Sequence, residues 1–95
     1  MAPTSAYESR AHRRAFGDRV RGLREERSWS QEVLADRADV TREYVSRIES
    51  GSQSVSLDVI VRIASGLGVS TSEIFQGRPL IRRRVQKRPF LDAAN

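Results

Sequence analysis

Residues 30–51, "SQEVLADRADVTREYVSRIESG", carry two helix patterns separated by three residues. Ser30 is a good helix cap, and Val33, Leu34, Ala35 and Ala38 share one side of a helix over 31–38. Glu32 near its start and Arg37 near its end suit the helix dipole. "DVT", 39–41, is too short for anything but a tight turn. Thr41 then caps a second helix over 42–49, which Ser50-Gly51 ends. The second helix has a narrow apolar side, Val45 and Ile48 with help from Tyr44. Its other side carries Arg42, Glu43, Ser46 and Arg47. Short surface helices with arginines are usually only solvated, so the surrounding sequence has to decide what this one is for.

Two helices joined by so short a turn are the signature of a helix-turn-helix. The geometry needs a small residue where the helices cross. Ala35, facing Val45 and Ile48, supplies it, and Val40 plugs the junction. A narrow apolar side is what a helix entering a DNA groove requires, because its outer side must stay free for the nucleic acid.

Working outward, residues 11–27 place Phe16, Val20 and Leu23 on one helical face, with Gly17 and Gly22 weakening the helix modestly. Beyond Gly51, "SQSVS" reads as a polar, flexible loop. Ser56 caps a helix over about 57–66, with Val59, Ile60, Ile63, Ala64 and Leu67 apolar and Gly66 or Gly68 as its stop. Ser70 and Glu73 form a capping box for a fifth short helix through Ile74 and Phe75. The expected architecture is all-α: five helices over 11–77, an N-terminal extension over 1–10 and a basic C-terminal tail over 78–95, both extensions flexible.

Ninety-five residues suffice for one small domain with a thin core. Net charge is +5, and its location is uneven. Residues 11–77 balance ten arginines against ten acids, whereas 78–95 hold Arg78, Arg82, Arg83, Arg84, Lys87 and Arg88 against Asp92. The excess therefore supports a polyanionic or acidic partner for the tail and says nothing about the middle. No apolar run approaches the ~18 residues of a membrane span, and residues 1–14 lack the apolar segment of a secretory signal. With no cysteine and one histidine, His12, neither disulfides nor a metal site is expected. No nucleophile has a base partner and no phosphate-binding glycine loop is present, so no enzyme and no cofactor are expected. A cytoplasmic location fits these features.

The segment "RVRGLREERSWSQEVLADRADVTREYVSRIESGSQSVSLDVIVRIASGLGVSTSEIF" resembles the Xre/Cro/C1-type helix-turn-helix family, which includes the lambdoid phage repressors. "LREERSWSQEVLA", "SRIESG" and "LDVIVRIASGLGVSTSEIF" all sit in register with it. Within the family, "TREYVSRIE" is most similar to the controller proteins of restriction–modification systems. Two positions depart from the pattern: Asp39 stands where glycine is usual, and Val55 where proline is frequent. Asp tolerates a positive φ better than most residues, so the turn is expected to survive.

The resemblance implies a lambda-repressor-like DNA-binding domain and a role for each exposed group. Arg42, Glu43, Ser46 and Arg47 are the base-reading candidates, with Arg able to grip guanine O6 and N7 together. Glu43 either accepts from cytosine N4 or orients an arginine. Arg47 either reads a base or serves as a phosphate or salt-bridge residue. Gln31, Tyr44, Ser52, Gln53 and Ser54 are candidates for the DNA backbone, Gln31 alternatively bracing the first reading residue. Arg24 and Glu49 match the family's structural ion pair, which sets the angle of the reading helix. Ile74 and Phe75 are the expected anchors of a homodimer on a palindromic operator. The tail, through Arg82, Arg83, Arg84, Lys87 and Arg88, is either a non-specific arm on DNA or the docking segment of an antitoxin-like adaptor with a protein partner.

Overall fold

Four of the five helices start at a side chain that takes the place of the missing upstream carbonyls. A computed structural model describes the backbone of residues 6–76 and the side chains of residues 9–75. It contains α1 (Ala6–Glu26), α2 (Gln31–Ala38), α3 (Arg42–Ser50), α4 (Leu57–Leu67) and α5 (Thr71–Gln76), with no strand among the described residues. Ser30, Thr41 and Ser56 each accept a hydrogen bond from the backbone N–H three residues on, at 3.1, 3.1 and 3.2 Å. At α5 the capping box is reciprocal: Glu73 N–H donates to Ser70 Oγ at 3.0 Å, and Ser70 N–H donates to Glu73 Oε1 at 2.7 Å.

The helix stops are equally local. Asp39 closes α2 in the left-handed region, φ 59° and ψ 48°, and its N–H returns to the carbonyls of Ala35 and Asp36. The aspartate thus occupies the conformation for which the family uses glycine. Gly51, φ 80°, ends α3 and Gly68, φ 76°, ends α4. Of the two stops considered for α4, Gly68 is the one used.

Val20, Leu23, Leu34, Ala35, Ala38, Val45, Ile48, Ile63, Ala64, Leu67 and Ile74 form one buried cluster to which every helix contributes. Burying a branched aliphatic side chain of this kind contributes about 1.5–3 kcal/mol, so a small domain depends on each of them. Val40 and Tyr44 pack against the cluster from the turn and from α3. Val33, expected on the buried side of α2, is exposed instead; α2 is only eight residues long and its neighbours cover Leu34, Ala35 and Ala38 alone.

α1 differs most from its expected extent. It begins at Ala6, so the expected boundary between extension and domain at residues 10 and 11 falls inside a helix. "AYESR" contains no proline or glycine and continues a helix readily, but it adds no apolar residue at the right spacing to announce itself. Gly17 also has a function beyond lowering helix propensity. A Cβ there would collide with the carbonyl oxygen of Ile48 and lie 2.9 Å from that of Glu49. The bare glycine lets α1 lie directly on the end of α3.

Candidate nucleic-acid interface

α3 is fixed at its far end by a polar knot around the buried Glu49 carboxylate. Arg24 of α1 grips Glu49 of α3 through two nitrogens, Nε to Oε2 at 2.7 Å and Nη2 to Oε1 at 2.9 Å. Its third nitrogen, Nη1, donates to the carbonyl of Trp29 at 2.7 Å. The Glu49 side chain is 4% exposed and that of Arg24 12%. The Arg24 guanidinium is held above its ordinary pKa, chiefly by the hydrogen bond to Glu49, with burial acting in the opposite direction. Gln31 closes the knot: its Nε2 donates to Glu49 Oε1 at 3.1 Å. One carboxylate therefore ties α1, the first residue of α2 and the last turn of α3. Arg13 adds a contact from α1, its Nε donating to the carbonyl of Gly51 at 3.2 Å.

Gln31 was expected to meet a phosphate or to brace the first reading residue. Its amide donates to Glu49, so it braces the far end of α3. Its backbone N–H lies in the first turn of α2, among the donors a helix leaves without internal partners. Trp29, at the same junction, is half-buried with the Arg37 guanidinium 4.3 Å from its ring centroid, a packing arrangement.

With its apolar side buried through Val45 and Ile48, α3 turns a polar strip outward. Arg42, Glu43 and Arg47 are exposed, and Ser46 is half-buried beside them. Among the described residues, neither Arg42 nor Glu43 forms a salt bridge. The two carry their charges on the first turn of α3, pointed away from the core. Tyr44 is half-buried against the core, which accounts for its ring and leaves only part of it accessible.

The loop after α3 is tied down where a slack segment was expected. The N–H of Ser52 donates to the Arg47 carbonyl at 3.0 Å, the Ser50 hydroxyl donates to the same oxygen at 3.0 Å, and the two hydroxyls lie 2.9 Å apart. Gln53 accepts from Arg47 Nε at 3.3 Å and donates its amide to the Ser54 carbonyl at 2.9 Å. Ser52 and Ser54 remain at the surface. The role of Gln53 as a partner of Arg47 had no sequence signal, because the contact depends on how the loop folds back over α3.

The two expected dimer anchors separate. Ile74 is 1% exposed and belongs to the core of its own chain, so it presents nothing to a second copy. Phe75 is 56% exposed, its ring tilted against Phe16 with centroids 5.5 Å apart. Adjacent residues on a short helix face different directions, and the one-turn apolar pair gave no phase from which to tell them apart. The basic residues Arg82, Arg83, Arg84, Lys87 and Arg88 lie outside the described residues. Among the described residues no cluster of His, Cys, Asp or Glu could hold a metal ion, and no helix is long and apolar enough to cross a membrane.

Two capped helices at a tight turn, the second fixed from behind and carrying an outward polar strip, define a DNA-binding helix-turn-helix. The helix-turn-helix family model matches residues 20–74. The chain is 43% identical over 61 residues to the control protein C.MunI of a Mycoplasma species, a match spanning 63% of this chain and 82% of that one. It is 45% identical over 60 residues to the control protein C.BamHI of Bacillus amyloliquefaciens, spanning 62% and 74%. The fold matches the crystal structure of the restriction–modification controller protein C.AhdI from Aeromonas hydrophila with a TM-score of 0.67 and 38% identity, covering 68% of this chain and 98% of that one. The chain belongs to the Xre/Cro/C1-type helix-turn-helix family. It is a DNA-binding transcriptional regulator, and within that family it is similar to controller proteins.

Proposed function

We propose that the protein is a sequence-specific regulator of the controller type, binding a palindromic operator as a homodimer with α3 in the major groove. The observation that carries this reading is the combination of an exposed first turn on α3, where Arg42 and Glu43 form no salt bridge among the described residues, with an anchor at the far end of the helix at Arg24, Glu49 and Gln31. A reading helix needs both: free groups that match base edges, and a backbone that does not move when they engage.

Arg42 reads a guanine through O6 and N7, Glu43 accepts from a cytosine amino group or steers Arg42, and Ser46 and Arg47 extend the contact by one turn. The backbone N–H of Gln31 and the surface groups of Ser52 and Ser54 meet phosphates on either side, with the Tyr44 hydroxyl as a further donor. One such domain touches few base pairs, so two copies related by a two-fold axis are required for useful discrimination. Phe75, exposed beside Phe16, supplies the apolar side chain for that contact. Recovery of bound sequences from a pool of random duplexes tests the proposal. The expected product is an inverted repeat with half-sites about one helical turn apart. Recovery of unrelated sequences would overturn it.

A further inference from the structure

An arginine on a helix surface reads a base poorly until its direction is set, because its long side chain samples many rotamers that a specific contact must exclude. Arg47 has a partner on its own chain that favours one direction. Its Nε donates to Gln53 Oε1 at 3.3 Å. The Gln53 amide nitrogen donates to the Ser54 carbonyl at 2.9 Å, which leaves the oxygen as the end of the amide turned toward the arginine. Gln53 is itself half-buried against the groove between α1 and α4, beside Phe16, Val55 and Ile60. The loop that carries it is fastened to the backbone of the same arginine, through Ser52 N–H and Ser50 Oγ on the Arg47 carbonyl.

The choice of atoms matters. The contact uses Nε, and among the described residues neither terminal nitrogen of Arg47 has a hydrogen-bond partner. Those two nitrogens are the pair that can approach O6 and N7 of guanine end-on. The acceptor is a neutral amide, so it aims the guanidinium without cancelling the charge that a nucleic acid attracts.

We infer that Gln53 is a specificity-determining residue that positions Arg47 for base reading, rather than an independent contact to the DNA backbone. This rests on the reading of Arg47 as a base contact.

The test compares the full chain with Gln53→Met, Arg47→Met and the double variant, on duplexes altered one base pair at a time, at one salt concentration. Gln53→Met keeps the size of the side chain and removes the acceptor. The expected result is a roughly three- to ten-fold loss of preference at the base pair that Arg47→Met affects, with other positions unchanged. The double variant should be no worse than Arg47→Met alone, because the two residues act as one unit. In the protein without DNA, the Arg47 Nε–H signal in NMR should shift and exchange faster with water in Gln53→Met, while the unfolding midpoint stays within error. An equal loss on every duplex would make Gln53 a backbone contact and overturn the inference. So would an unchanged preference in Gln53→Met beside a relaxed one in Arg47→Met. If Arg47→Met itself leaves all preferences intact, the base-reading role of Arg47 fails, and the positioning role fails with it.

Discussion

At the scale of single residues, two arginines stand in opposite surroundings. Arg42 is exposed and, among the described residues, unpaired; Arg24 is half-buried and spends all three nitrogens on Glu49 and Trp29. Their substitutions should therefore fail in different assays. Arg42→Ala should weaken binding to the preferred duplex by about 1–3 kcal/mol and relax the preference at one base pair, with the unfolding midpoint unchanged. Equal weakening on all duplexes would make Arg42 a phosphate contact. Arg24→Ala leaves the Glu49 carboxylate buried with, among the described residues, only Gln31 as a hydrogen-bond partner. The expected cost is about 3–5 kcal/mol in denaturant unfolding, the amount typical of stranding one partner of a buried pair. A loss below about 1 kcal/mol would place the pair with weak surface bridges.

The same scale shows where sequence reading reached and where it stopped. Arg24 and Glu49 were legible through family resemblance, twenty-five positions apart in the chain. Gly17 was not, since a glycine inside a helix registers only as a small penalty until the helix it lies against is known. The contact of Gln53 with Arg47 was not legible either, because a polar loop residue carries no mark of the neighbour it meets.

At the scale of elements, the helices were legible from their ends. Ser30, Thr41, Ser56 and the Ser70–Glu73 box are short-range features, so their chemistry is complete within four residues of sequence. The start of α1, the exposure of Val33 and the burial of Ile74 were not legible, because all three depend on which faces find a neighbour. The α5 cap has a pH signature. The Ser70 backbone N–H, followed by the Ser70 side chain, holds the Glu73 carboxyl below its usual value. A carboxylate depressed in the fold stabilises it above the unfolded value of about 4.3 and loses that contribution as the pH falls through the folded value. The stability gap between the parent chain and Glu73→Gln should therefore be present near neutrality and close in acid. A gap that does not change with pH would mean that the carboxylate charge contributes nothing to the cap.

At the scale of the whole molecule, net charge is concentrated outside the helical domain. Residues 11–77 are balanced, so the proposed reading of bases must rest on placement of side chains, whereas the excess of +5 lies in 78–95. Each phosphate that a basic residue neutralises steepens the dependence of binding on salt by about 0.9 in the logarithmic slope. Truncation after Gly77 should therefore flatten the salt dependence and leave the order of preferred duplexes intact. If the salt dependence stays the same and a protein partner is lost, the tail is an adaptor segment.

The most direct measurement is the ratio of dissociation constants for the best recovered duplex and a scrambled duplex of equal length, at physiological salt. A reading helix fixed by the Arg24–Glu49–Gln31 knot should discriminate by about a thousand-fold or more, the lower end for specific DNA binders. A ratio near one would contradict the assignment of residues 42–47 to base reading.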